Sequence, residues 1–163
     1  MTTKEMQSRQ FTSWHIRLLK FLRKLITDGN VWLLRISNGK IGNSFLGVPV
    51  LLLTTVGRKS GQSRTQPLYY LGDGDQVLLV ASNAGTERDP AWLLNLEARP
   101  EVSVNINGVE NGMSGHVATA EEKSELWPKL TKMFPKWQMM EDRSERSFKV
   151  VILELIAEVK IGA

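Results

Sequence analysis

Three cations fall within seven residues at Arg58, Lys59 and Arg64, set in the stretch Gly57–Arg64 (GRKSGQSR). A guanidinium offers a planar fork matched to the oxygens of a phosphate or carboxylate, and an ammonium adds a compact point charge. Gly57 and Gly61 let exposed backbone N–H groups approach a ligand closely. These residue types at this spacing are the chemistry of an anion site. They would equally serve as the solvated tip of a charged hairpin, and spacing alone leaves both readings open.

Other chemistries lack their residues. The chain has no cysteine, which removes a disulfide framework, a thiolate metal site and a cysteine nucleophile, and points to a reducing cytoplasm. No Gly-x-Gly-x-x-Gly, no phosphate loop ending in Gly-Lys-Ser/Thr and no His-Glu-x-x-His occurs. The two histidines, His15 and His116, lie 101 positions apart on different predicted elements, so neither a metal site nor a catalytic triad is expected. Acidic residues sit mostly at helix starts and turns, where capping and solvent account for them.

The basic stretch must be carried by something rigid, and the surrounding sequence predicts strands. Val50–Val56, Arg64–Leu71 and Gln76–Ser82 are short apolar or β-branched runs bounded by turn residues, with Gly72-Asp73-Gly74-Asp75 as a hairpin between the last two. Asp89 and Pro90 read as the N-cap and first position of a helix running to Ala98. Val102–Ile106 turns at Asn107-Gly108 into a strand over Met113–Thr119; a capping box at Thr119 and Glu122 opens a helix over 120–133. Pro135 interrupts, a short segment runs to Met140, and Lys149–Glu158 reads as a closing strand. Five or six antiparallel strands with two or three short helices predict a mainly β fold, a small barrel.

Charge is unevenly spread. Residues 1–40 carry eight Lys/Arg against Glu5 and Asp28, a net of +6, while the remainder holds 13 basic and 15 acidic residues, a net of −2. A slightly acidic body excludes nucleic acid as the partner. The excess lies in residues 9–26, where Phe11, Trp14, Leu18, Phe21, Leu22, Leu25 and Ile26 recur at helical spacing opposite Arg9, Arg17, Lys20, Arg23 and Lys24. Such a helix either lies on an anionic membrane surface or docks its apolar face on protein. The uncharged residues 41–57 include Gly42, Gly47 and Pro49 and do not read as a spanning helix, and the N-terminus lacks the apolar block of a signal peptide. The expected location is cytoplasmic, with peripheral attachment to the inner face of the cell membrane left open.

Three separated motifs add a resemblance. Leu51–Tyr70 (LLLTTVGRKSGQSRTQPLYY), Val80–Gly85 (VASNAG) and Asp89–Leu96 (DPAWLLNL) follow one another in an order that resembles the deazaflavin-dependent nitroreductase family of actinobacteria, with further similarity at Glu101–Val104 and Glu125–Leu130. The resemblance implies a split β-barrel over residues 41–163, preceded by the helix and linker of residues 1–40. It implies coenzyme F420, a deazaflavin with a phosphate and a polyglutamate tail, as cofactor, and FMN, which related barrels bind, as the alternative. Arg58, Lys59, Ser60 and Arg64 would then meet the phosphate and tail. Thr65, Gln66, Pro67, Leu68 and Tyr69 would run along the deazaflavin, with Val80, Ala81, Ser82 and Asn83 beneath it and Ala91, Trp92, Leu93, Leu94 and Asn95 closing the other side.

Two departures from the family pattern matter. Asn83 stands where members often carry a tail-binding lysine, with Arg88 close in sequence as a replacement cation. Phe134, Trp137 and Met140 stand where the nitroreductase has tyrosines; spaced three apart, they would wall an apolar pocket on one helix face. None of these three offers a hydroxyl, which leaves Tyr69, Ser82 or water as proton donors. The function implied is hydride transfer from reduced F420 to an electron-poor acceptor such as a quinone, nitroaromatic or activated enone. A non-catalytic cofactor or lipid carrier is the alternative of a different class, and the oligomeric state, a homodimer included, is left open.

Overall fold

Alternation of side chains along a strand sends neighbours to opposite faces, so a run such as Val77–Ala81 that is apolar at every position needs a cover on both sides. The computed structural model, which describes residues 44, 45 and 47–156, provides both covers. In chain order the elements are β1 (Ser44–Phe45), β2 (Val48–Val56), β3 (Ser63–Asp73), β4 (Gln76–Val80), a 3-10 turn (Asn83–Gly85), α1 (Ala91–Ala98), β5 (Glu101–Ile106), β6 (Val109–Val117), α2 (Ala120–Met133), α3 (Lys136–Glu141) and β7 (Val150–Leu155). All pairings are antiparallel in the order β1-β2-β3-β4-β7-β6-β5, and β5 pairs back onto β2, closing a six-strand barrel. The expected split β-barrel is the fold observed.

Inside the barrel, Leu51 and Leu53 of β2, Val77 and Leu79 of β4, Val104 of β5 and Leu153 of β7 pack with Trp92, Leu93 and Leu96 of α1. α1 comes so close to β6 and β7 that a Cβ on Gly115 would stand 2.8 Å from Leu96 and 2.5 Å from Leu153. Outside, Leu78 and Val80 of β4 with Val150 and Ile152 of β7 are covered by Leu126 and Leu130 of α2, Trp137 of α3 and Phe148. β4 and β7 are therefore buried on both faces.

β3 bends between two partners. Ser63 to Tyr69 pair with β2, and Tyr70 to Asp73 pair with β4, so among the described strands the first part of β3 has one unpaired edge. Pro67, which lacks an N–H, sits in that part.

Local signals held where neighbours in sequence decide them. Asn107 and Gly108 both have positive φ (53° and 88°), as a type I′ turn requires. The capping box closes: Thr119 Oγ1 accepts from Glu122 N–H at 3.2 Å while Glu122 Oε2 accepts from Thr119 N–H at 2.8 Å.

Most strand ends shift by one or two residues from expectation, and three differences stand out. β4 ends at Val80 rather than Ser82 because Asn83 and Ala84 turn into the left-handed region. Asp89 does not cap α1; Pro90 occupies the cap position without a side-chain bond, and the Asp89 carboxylate instead pairs with Arg146 at 3.0 Å and Lys149 at 3.2 Å. β6 begins at Val109, immediately after the turn, four residues before the expected Met113. The helix expected over 9–26 and the end of the closing strand beyond residue 156 lie outside the described residues.

Candidate functional site

The basic turn joins β2 to β3 and is closed by its own backbone. Gly57 N–H donates to Gln62 O at 2.8 Å, and Gly61 N–H donates to Gly57 O at 2.7 Å. Gly61 takes φ +68°, which favours glycine, and a Cβ at Gly57 would meet Ser60 Oγ at 2.7 Å and Gln62 O at 3.2 Å, so a side chain there would crowd the turn. Arg58, Lys59 and Arg64 are exposed, and among the described residues no carboxylate pairs with any of them. Arg64 is steadied by Gln62, whose Oε1 accepts from Nη2 at 3.0 Å.

Asn95 fastens this turn to α1. Its Oδ1 accepts the Arg58 N–H at 3.1 Å and its Nδ2 donates to Thr55 Oγ1 at 3.2 Å. Asn95 and Thr55 are the buried polar side chains of the core, 6% and 2% exposed. A cavity of about 550 Å³ opens between turn and helix, lined by Arg58, Lys59, Ser60 and Arg64 of the turn, Thr65 and Gln66 of β3, and Ala91, Trp92 and Asn95 of α1. Thr55, Gly57 and Ser63 complete the lining. Cations unmatched by protein carboxylates, beside glycine backbone, suit a multiply anionic ligand.

The structure thus brings together two of the stretches expected to bind cofactor and leaves others outside the cavity. Pro67, Leu68, Tyr69, Val80, Ala81, Ser82, Asn83, Leu93 and Leu94 are not part of its lining. Leu68 packs against the interior cluster, while Tyr69 points outward. Leu93 is fully buried in the barrel.

On the outer side Tyr69 meets Phe134 with ring centroids 5.0 Å apart, and Phe134 meets Trp137 edge-on at 5.3 Å. The wall expected of Phe134, Trp137 and Met140 is divided. Phe134 and Met140 are half-buried, whereas Trp137 is 2% exposed and packed among Leu126, Leu130 and Phe148. A ring so enclosed presents no open surface, because α3 turns that position onto the barrel. Met140 instead reaches toward the 3-10 turn, where a Cβ on Gly85 would lie 3.6 Å from Met140 Cβ. Burial raises the Tyr69 phenol above the ordinary tyrosine value, so it stays protonated near neutral pH.

Thr55 and Ser63 line the cavity without an expected role in binding, although Ser63 lies within the basic motif. Thr55 is joined to Asn95 across 40 positions, with no local pattern to announce it.

Residues 27–155 match the family model described as F420H(2)-dependent quinone reductase. An F420H(2)-dependent quinone reductase of Mycobacterium tuberculosis is 35% identical over 121 residues, 72% of this chain and 81% of the relative. Among solved structures, an F420-H2 dependent reductase (FDR-A) superposes with TM-score 0.61 at 29% identity, covering 65% of this chain and 94% of that one. A chain described as a domain-swapped dimer superposes with TM-score 0.63 at 26% identity, covering 83% of this chain and 98% of that one.

Proposed function

The chain belongs to the F420H(2)-dependent quinone reductase family, and from that premise we propose that it transfers a hydride from reduced F420 to a quinone, with nitroaromatics and activated enones as weaker acceptors. F420 as the family's cofactor takes the place of FMN, and an oxidoreductase that of a carrier. The observation that carries the proposal is the cavity of about 550 Å³ in which Arg58, Lys59 and Arg64 stand without carboxylate partners among the described residues. These three cations and Ser60 would hold the phosphate and the glutamate carboxylates.

When bound, reduced F420 supplies the hydride. The chain orients the acceptor and delivers the proton. Tyr69, Phe134 and Met140, with the turn at Asn83–Gly85, form the acceptor end. Tyr69 or Ser82 supplies the single proton that accompanies the hydride when a quinone becomes a hydroquinone. Phe134 and Met140 offer mostly apolar area, which favours flat quinones over polar nitroimidazoles.

Menadione added to protein and reduced F420 should oxidise the cofactor catalytically, with a higher kcat/KM than a bicyclic nitroimidazole. Tight F420 binding without turnover by any quinone would overturn the reading in favour of a carrier.

None of the described helices is long and apolar enough to cross a membrane. Residues 9–26 place the enzyme at an anionic lipid surface, where quinones dissolve, so deleting residues 1–27 should abolish liposome binding and leave F420 affinity intact. The dimeric state described for one structural relative extends to this chain as a homodimer, which light scattering would measure.

A further inference from the structure

Between β4 and α1 the backbone passes through Ser82 in the right-handed helical region and then Asn83 (φ 46°), Ala84 (φ 55°) and Gly85 (φ 77°). Two consecutive non-glycine residues in the left-handed region are disfavoured, because each Cβ crowds the following carbonyl. Such a turn persists only where its surroundings impose it. Bonds inside the segment tie it to itself: Gly85 N–H donates to Ser82 O at 2.9 Å, and Asn83 Nδ2 donates to Arg88 O at 2.9 Å.

Arg146 ties the segment to the rest of the protein. Its Nη2 donates to both Ala81 O and Ser82 O at 2.9 Å, its Nε to Thr86 O at 2.9 Å, and its Nη1 to Asp89 Oδ1 at 3.0 Å. The side chain is 16% exposed, and its guanidinium lies 4.8 Å from the ring centroid of the fully buried Phe148. Phe148 is itself fastened by its N–H to Glu141 Oε1 at 2.7 Å. One rigid fork therefore grips the segment at its start, middle and end. The last gripped residue, Asp89, is followed by Pro90 and then by Ala91 and Trp92, which line the cavity.

We propose that Arg146 is a positioning residue for the cofactor: by gripping residues 81–89 it sets the start of α1, where Ala91 and Trp92 line the cavity, in the arrangement that receives reduced F420. It does so without touching the cofactor, and the assignment rests on the reading of the cavity as the F420 site. Lysine cannot replace it, because an ammonium is a point donor on a flexible stem and cannot serve three carbonyls and a carboxylate in one plane.

The test compares wild type, R146A, R146K and K149A in the full-length protein. Lys149 is the control, since it shares Asp89 but makes no hydrogen bond to the carbonyls of the turn. Hydrogen exchange without cofactor should quicken about tenfold over residues 82–89 in R146A, less in R146K, with β2 and β7 unchanged, as expected when one local unit loosens. F420 titration should show the dissociation constant raised about tenfold in R146A and at least about threefold in R146K, with K149A within about twofold of wild type. KM for reduced F420 should rise accordingly, in K149A no more than its dissociation constant does. Unchanged exchange over 82–89, or wild-type F420 affinity in both Arg146 variants, would overturn the assignment. Should R146A fail to fold, R146K decides by the same two readouts. If wild type itself binds no F420, the cofactor reading falls first and the positioning role with it, an outcome distinct from wild-type binding that ignores Arg146.

Discussion

Asn95 is the side chain on which the basic turn and α1 depend together, and replacing it by alanine has a calculable effect. The substitution removes the part-buried bond from Arg58 N–H at 3.1 Å and the buried bond to Thr55 Oγ1 at 3.2 Å. Each hydrogen bond contributes about 1 kcal/mol net, and the partners left behind add a desolvation cost, so Asn95→Ala should destabilise the fold by about 2–4 kcal/mol. With a urea m-value of about 2 kcal/mol/M, the midpoint should fall by about 1–2 M at unchanged slope, read by tryptophan fluorescence. Asn95→Asp separates stability from binding. Its carboxylate still accepts from Arg58 N–H, and the Thr55 hydroxyl can rotate to donate, so the bridge to both partners is kept. It also sets a negative charge into a cavity read as holding phosphate and carboxylates, and F420 affinity should drop by about tenfold or more. An unchanged midpoint in Asn95→Ala would refute the bridging role, and wild-type F420 affinity in Asn95→Asp would refute an anionic ligand in this cavity.

Lys59→Ala should weaken F420 binding by about tenfold with little change in Tm, because a charge-assisted contact is lost from an exposed turn; unaltered affinity in alanine variants of Arg58, Lys59 and Arg64 alike would remove the turn from the site. Trp137→Ala should cost about 3–5 kcal/mol in unfolding free energy, whereas Phe134→Ala should chiefly raise KM for menadione; the opposite pattern would return Trp137 to the acceptor wall. Stability should be level from neutral pH to about 9.5 and decline above about 10. Burial raises the Tyr69 and Tyr70 phenols, and Lys149 is raised by its bond to Glu97 and by Asp89. In each case the folded state holds the proton more tightly than the unfolded chain, so the contribution is complete below the unfolded value and lost as pH rises through the folded one. A Tm that stays constant to about pH 11.5 would contradict these shifts.

The parts legible in the sequence are those decided by neighbours along the chain. Asn107-Gly108 needs only its own positive φ values to form a hairpin, and Thr119 and Glu122 need only each other to start α2. The basic motif is equally local, since its three cations and two glycines fall in eight residues, although only the surroundings decide between a binding site and a solvated tip. Short apolar runs between turn residues read as antiparallel strands, and the pairing of β5 back onto β2 closes them into a barrel.

Periodicity assigns residues to a face without saying what the face meets. Trp137, Phe134 and Met140 share a helical spacing, yet only packing of α3 on β4 and β7 turns Trp137 into the core and leaves the other two half-buried. Asp89 has the residue type and position of a helix cap, but two cations brought from 57 and 60 positions away draw its carboxylate elsewhere. Arg146 carries no local signature at all, and the motif that contains Asn95 does not say which groups its side chain bridges. Each acts on backbone groups that become its neighbours only when the barrel closes, because a hydrogen bond is specified by distance in space and a sequence specifies only distance along the chain.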